Sequence, residues 1–421
     1  MHWLIRHLSR QMWLRATAFS ALGILSALSA VLLKRYIPSE LTTTMGADAV
    51  GSLLNIIASS MLAVTIFSLS TMVAAFASAT SNVTPRATRL LSADSTAQNA
   101  LATFLGSFLF SLVGIIGLHT GLYGDSGRVI LFGFTLAVVV LIVITLLRWI
   151  DYVLKLGRVG TTSARVEQAV TRAMRERHER PLLGGAPVRA GMALSRSGDH
   201  CVATKSIGYV EHIDMAALQD AAEDAGVDIV VYALPGELVG PGRPLAALTS
   251  GTPERMLDTI QAAFSVTPER SFDQDPRFGL CVLSEIASRA LSPAVNDPGT
   301  AIEILSRGAR VLAQWAPPCS DDLDVDDAVR FPRVQVPSLQ LDDLFDDFFV
   351  AIARDGAANI EVMIQLQKTL HMLASVGEPR YVAAALQQSR AALARSEATM
   401  TSPIDLERMR DAAARVAPAA P

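Results

Sequence analysis

The chain of 421 residues is apolar in composition and uneven in charge. Hydrophobic residues make up 51% of it and charged residues 18%, and its mean hydropathy of +0.35 is high for a soluble protein. The formal net charge is −4, but residues 1–198 hold 18 Lys and Arg against 8 Asp and Glu, whereas residues 199–350 hold 10 against 25. This acidic second part argues against nucleic acid as a partner, because phosphate binding needs clustered basic charge.

Four apolar stretches follow one another near the N-terminus: Ala16–Leu33, Leu53–Ala77, Leu101–Leu118 and Val129–Leu147. None contains Lys, Arg, Asp or Glu, and each reaches or approaches the ~20 residues that a helix needs to cross a bilayer. The sequence therefore predicts a four-span transmembrane domain over residues 1–150. A cleaved signal peptide is the alternative for the first stretch, but its apolar run continues to a basic stop.

Lysine and arginine cluster on one side of these stretches, which predicts their orientation. That side carries Arg6, Arg10, Arg15, Arg86, Arg89, Arg148, Lys155, Arg158, Arg165, Arg172, Arg175, Arg177 and Arg180. The other side carries only Lys34, Arg35 and Arg128. Because cytoplasmic segments are the ones enriched in Lys and Arg, we expect both termini in the cytoplasm.

The second stretch is rich in Ser and Thr and has two different sides when drawn as a helix. One side holds Ser60, Ala63, Phe67, Thr71, Ala74 and Ser78, and the opposite side holds Leu62, Ile66, Leu69, Val73 and Phe76. The hydroxylated side is either a packing surface, since small residues let helices approach closely, or the lining of a pore. In a pore, a ring of Phe67 side chains would close the path by dewetting. A pore requires a homo-oligomer, because one such helix cannot enclose a path.

A helix break follows the second stretch. Pro85 suits the first position of a short helix that Asn82 or Thr84 caps. Arg86 and Arg89 would then lie at the inner mouth of a pore or against lipid headgroups.

The rest of the chain predicts a helical stalk and linker over residues 151–187, a cytoplasmic α+β domain over 188–400 and an Ala/Pro-rich tail over 401–421. Strand and turn patterns between His200 and Leu248 indicate a small β-rich module, which includes a helix over Met215–Ala225. The predicted fold class is a membrane α-helical protein with four transmembrane helices and this cytoplasmic domain.

Helices are expected in the C-terminal part of the domain. Asp297 as N-cap and Pro298 as first residue begin a helix that runs through Leu312. Two more helices are predicted near Leu339–Asp355 and Asn359–Ser396.

Catalytic and metal-binding signatures are missing from the sequence, so we expect no enzyme, no catalytic residue, no metal and no cofactor. The seven His residues form no HExxH, and no GxSxG elbow occurs. Cys201, Cys281 and Cys319 have no paired spacing and are expected to be free thiols. The acidic loop 321–327 lacks the glycine and the final glutamate of a calcium loop.

Several motifs resemble a bacterial membrane-protein family, catalogued as domain of unknown function 2254. They are Phe67–Leu69 with the exit Thr84–Arg86, then Thr103–Leu109, Asp275–Leu280 and Arg289–Ala301. The similarity extends to about residue 400. It implies a bacterial inner-membrane protein, and it carries over no activity and no catalytic residue.

Together these patterns favour a homo-oligomeric inner-membrane protein whose second spans line an ion-conducting path. Its cytoplasmic domain would assemble or regulate it, and its partners would be the lipid bilayer, further copies of the chain and small inorganic ions. A small-solute transporter and a non-conducting scaffold or sensor are the alternatives.

Overall fold

The computed structural model describes residues 12–33, 47–92, 95–188, 201–249, 254–315 and 329–416. These divide into two compact units, Met1–Thr162 and Ser163–Pro421. Among the residues discussed above, Arg6, Arg10, Lys34, Arg35, Cys319 and the 321–327 loop lie outside the described ranges.

The described part of the first unit is helical. Its helices are α1 (Met12–Leu33), α2 (Ala47–Asn82), α3 (Pro85–Ser92), α4 (Ser95–His119) and α5 (Gly124–Lys155). Within the described residues, three stretches are long and apolar enough to cross a membrane: Ala49–Ser78, Thr96–His119 and Ser126–Lys155. They contain the second, third and fourth predicted spans, and each is longer than its predicted span. The first predicted span falls in α1, whose apolar stretch within the described part of the chain is the shorter Thr17–Ser26.

Helices α1 and α4 touch through their backbones. A Cβ added at Gly23 would lie 2.5 Å from the carbonyl oxygen of Gly106, and one added at Gly106 would lie 2.9 Å from that of Phe19. Only glycine fits such an approach, which is the usual way that membrane helices pack closely.

Helix α2 packs against its neighbours with a side that the sequence analysis did not single out. Leu54, Ile57, Met61, Ser68 and Met72 are buried and recur at helical spacing. This buried side lies between the two sides compared in the sequence. The hydroxylated side with Phe67 and the oily side with Leu69 are both exposed. They are therefore the two edges of one exposed surface rather than a buried side and an exposed side.

The second unit combines two small sheets with helices. Its strands are β1 (Gly185–Pro187), β2 (Cys201–Ala203), β3 (Gly208–Ile213), β4 (Ile229–Val231), β5 (Leu238–Val239), β6 (Pro244–Leu248), β7 (Phe264–Thr267) and β8 (Phe331–Val336). Five of them form a sheet in the order β1-β8-β4-β6-β2, and the other three form a sheet in the order β5-β3-β7. In the larger sheet, β8 is parallel to both β1 and β4. The expected sheet-containing C-terminal region is confirmed.

The helices of the second unit are α6 (Val159–Glu179, which begins before the boundary), α7 (Met215–Ala225), α8 (Glu254–Ala262), α9 (Pro276–Ala290), α10 (Pro298–Ala313), α11 (Leu341–Asp355), α12 (Ile360–Ala374), α13 (Pro379–Thr399) and α14 (Pro403–Ala414). The predicted cap of α10 is confirmed, because the Asp297 carboxylate accepts from the backbone N–H of Thr300 at 3.0 Å and Pro298 begins the helix.

The C-terminal helices depart from prediction at two places. The predicted helix over Asn359–Ser396 is two helices, because Gly377 takes the left-handed conformation (φ +87°) and Pro379 starts α13. The segment expected to be a tail contains α14, which packs with Met409 fully buried.

Candidate functional site

The six pore-lining candidates lie along one edge of the exposed surface of α2. Ser60, Ala63, Phe67 and Ala74 are exposed, whereas Thr71 and Ser78 are half-buried. The Phe67 side chain is 70% exposed. Its ring therefore makes few contacts within its own chain.

The centre of this exposed surface carries a row of residues of which the sequence analysis selected only Ala63 as a pore-lining candidate. They are Ser52, Ile56, Ser59, Ala63, Ile66, Ser70, Val73 and Ala77, all of them exposed. Their spacing alternates between four and three residues over about seven turns of helix, which is the spacing of a helix-packing seam. This alternation was available in the sequence, but only the structure separates it from the side that packs within the chain. We call this set the α2 seam.

Several hydroxyl groups of α2 donate to the backbone of their own helix. Ser59 donates to the carbonyl oxygen of Asn55 at 2.9 Å, Ser70 to that of Ile66 at 3.0 Å and Thr71 to that of Phe67 at 2.9 Å. A hydroxyl has one proton and two lone pairs. Each of these oxygens therefore presents an acceptor to its surroundings and keeps its only proton within the helix.

Helix α5 gives a direct comparison within the same unit. Its exposed large apolar side chains are Leu136, Val140, Leu141, Val143, Ile144, Leu147, Ile150 and Leu154. An exposed side of this composition matches hydrocarbon. The exposed side of α2 is different, because hydroxyl groups interrupt it in almost every turn.

The short helix at the end of α2 begins as expected, with Pro85 as its first residue. The backbone N–H of Ala87 donates to the carbonyl oxygen of Thr84 at 3.1 Å, and Val83 and Ala87 are fully buried. Arg86 is exposed on this helix. Arg89 belongs to the same helix, but its side chain lies outside the described part.

The sequence motif Asp275–Leu280 has a structural role in the second unit. Asp275 is 3% exposed, and its carboxylate accepts from Nε and Nη2 of Arg270 at 2.8 and 3.0 Å and from the backbone N–H of Phe278 at 3.0 Å. Gly279 lies against Val170 of α6, where an added Cβ would be 2.1 Å from a methyl group. The motif therefore starts α9 and holds α9 against α6.

No group of three or more His, Cys, Asp or Glu side chains that could hold a metal occurs among the described residues. Cys281 is next to the Arg270–Asp275 pair, and burial raises the pKa of its thiol to about 12. A thiol with this pKa stays protonated at neutral pH and is a poor nucleophile.

Comparison with known proteins assigns the chain to a protein family. A family model described as "Predicted membrane protein (DUF2254)" matches residues 9–372. Two relatives, each described as an uncharacterized protein, are Mb1321c of Mycobacterium bovis and Rv1290c of Mycobacterium tuberculosis. Each is 35% identical over 134 residues, which is 29% of this chain and 25% of the relative. The chain thus matches about a quarter of the length of these relatives.

No solved structure matches the chain. The family model covers most of the sequence, and it agrees with the three apolar helices that are long enough to cross a membrane. The chain therefore belongs to the DUF2254 family of predicted membrane proteins.

Proposed function

We propose that this protein is a homo-oligomer of the bacterial inner membrane in which α2 helices from several copies line an ion-conducting path. The observation that carries the proposal is the contrast between the exposed sides of α2 and α5. The side of α5 is continuous hydrocarbon, whereas that of α2 repeatedly presents hydroxyl oxygens. Lipid matches the first surface better than the second, so another copy of the chain, water, or both cover the second.

The α2 seam supports contact between copies. Ala63, Ser70 and Ala77 recur at seven-residue intervals along it, and small residues at such intervals let two helix backbones approach. Ile56, Ile66 and Val73 stand between them and would fill the space beside the close contacts.

The chemistry of the hydroxyl groups supports cations as the conducted ions. Ser59, Ser70 and Thr71 keep their protons in bonds to the helix backbone and present lone pairs outward. Oxygen lone pairs replace the hydration shell of a cation, as the carbonyl rings of selective channels do. Phe67 would form the apolar constriction of the same path.

The proposed topology has four spans and both termini in the cytoplasm, with no catalytic role. Helix α1 is included as a span because its backbone touches that of α4 at Gly23 and Gly106. Reporter fusions after residue 40 and after residue 200 should report opposite sides of the membrane. The same side for both would contradict this topology.

Disulfide crosslinking tests the assembly. In a chain whose native cysteines are replaced by serine, Ser70→Cys on the α2 seam should form a disulfide between copies in membranes, because bridging requires Cα atoms within about 7 Å. The matched control is Val140→Cys, which is 58% exposed on the hydrocarbon side of α5. Equal crosslinking of both variants, or none at Ser70→Cys, would contradict an α2 interface.

Planar-bilayer recording tests the conduction itself. The wild-type protein should give discrete cation currents. Saturable uptake of a solute without unitary currents would favour the transporter alternative, and a crosslinked oligomer with neither activity would favour the scaffold.

A further inference from the structure

A cavity of about 240 Å³ lies in the second unit where α6 ends and α7 begins. Arg177 and Arg180 at the end of α6, His212 at the end of β3 and the first residues of α7 line it, together with Asp273. The volume is below the ~300–1,000 Å³ of typical ligand pockets. A small metabolite fits it better than a dinucleotide does.

Arg177 is the unusual residue of this cavity. It is 4% exposed, and its Nε and Nη2 have no hydrogen-bond partner among the described residues. Buried charged side chains are nearly always paired, because an unpaired charge away from water is strongly unfavourable. Burial lowers the pKa of Arg177 to about 10, against the attraction of Asp275. The guanidinium is therefore still charged at neutral pH.

Asp275, whose charge attracts Arg177, does not hydrogen-bond to these donors. The two oxygens of Asp275 already accept from Nε and Nη2 of Arg270 and from the start of α9. Arg177 thus keeps donors that an external acceptor would satisfy.

The start of α7 adds a second positive element to the cavity. Asp214 caps this helix by accepting from the backbone N–H of Ala217 at 3.2 Å, and Met215 and Ala216 line the cavity. The N-terminal turn of a helix of this length carries partial positive charge and attracts anions.

We propose that this cavity binds a small organic oxyanion, a carboxylate or a phosphate monoester, which pairs with Arg177. A planar guanidinium binds both groups through two parallel hydrogen bonds. Glu176, Asp214 and Asp273 also line the cavity, so the ligand carries hydroxyl or amino donors and a low negative charge rather than several phosphates. The proposal does not depend on ion conduction by α2.

The test uses the purified full chain in detergent at constant ionic strength. Lactate and glycerol 3-phosphate serve as hydroxylated carboxylate and phosphate probes, and thermal unfolding and calorimetry measure binding. We expect at least one probe to raise the unfolding midpoint saturably. Arg177→Met should weaken its binding at least tenfold. Arg175→Met, an exposed arginine two residues earlier on α6, should bind as the wild type does.

The unliganded variants give an independent readout. Arg177→Met removes an unpaired buried charge, so without ligand its unfolding midpoint should equal or exceed that of the wild type. If Arg177→Met does not fold, Arg177→Lys replaces it, and its loss of the planar fork should weaken binding by the same order.

Two further arms separate the sources of the oxyanion. The titration is repeated with the protein in phosphatidylglycerol vesicles. Weaker probe binding there would show that the lipid headgroup occupies the cavity, whereas unchanged probe binding would show that the ligand is a free metabolite. In either case probe binding should require Arg177. No saturable binding of either probe and no lipid competition would overturn the proposal. Binding that is equal in the wild type and Arg177→Met would overturn it as well.

Discussion

Two aspartates of the second unit begin helices in the same way but differ in burial, and this difference gives a quantitative prediction. Asp275 starts α9 and Asp297 starts α10, each followed by proline and each accepting from a backbone N–H at 3.0 Å. Asp297 is exposed, whereas Asp275 is 3% exposed and also pairs with Arg270.

Substitution of each aspartate by alanine should separate the helix cap from the buried ion pair. Asp297→Ala removes a cap and should lower the free energy of unfolding by about 1 kcal/mol. Asp275→Ala removes a cap and also leaves Arg270 without its partner, which adds about 3–5 kcal/mol. The sum of about 4–6 kcal/mol is a large part of the ~5–15 kcal/mol that stabilises a typical protein.

Hydrogen exchange of the α9 amides for Asp275→Ala and of the α10 amides for Asp297→Ala, in the full-length protein, measures these losses, because local opening reports the free energy that holds each helix. The double variant Arg270→Met/Asp275→Ala is the control. It should be more stable than Asp275→Ala alone, since it removes the unpaired guanidinium. Equal losses for Asp275→Ala and Asp297→Ala would refute the assignment of the extra stability to the buried pair.

Three further predictions concern other parts of the chain. Phe67→Ser should give a leaky conductance without loss of folding, because the ring is 70% exposed within one chain, whereas Leu136→Ser on α5 should leave bilayer currents at the wild-type level. Cys281 should react with a maleimide at pH 8 far more slowly than an ordinary thiol in mass-spectrometric labelling, because its pKa is about 12; labelling at the rate of a free cysteine would contradict this. Burial lowers the pKa of His212 despite the attraction of nearby aspartates, so the unfolded chain takes up a proton first as the pH falls. The free energy of unfolding should therefore decrease as the pH falls through about 6.5, and His212→Gln should flatten that slope in denaturant titrations.

Local signals in the sequence predicted several elements because their causes are local. Uninterrupted apolar runs predicted four spans, three of which fall in helices of the described residues that are long and apolar enough to cross a membrane. The Asp297–Pro298 pair predicted the start of α10. The break before Pro379 was not predicted, because the apolar spacing continues through it, although Gly377 and Pro379 are local signals of a helix end and a helix start.

Other features depend on contacts between distant parts of the chain. The sequence showed that α2 has hydroxylated and oily sides, but not that Leu54, Met61 and Met72 form the side that packs. Likewise, Arg177 stands in a run of arginines that predicts membrane orientation. Only the packing of α6 within the second unit separates it from the exposed Arg175.

The position of β8 in the larger sheet sets an order for biosynthesis. Strand β8 lies between β1 and β4 and is parallel to both, so neither contact exists until β8 leaves the ribosome. Strand β1 is made about 150 residues earlier, which at ~5–20 residues per second is a delay of roughly 7–30 s. The apolar helices of the first unit are complete before this delay begins. The nascent second unit therefore waits with an unpaired β1 edge while the preceding helices are already available for membrane insertion, and this interval is when a chaperone would protect the chain from aggregation.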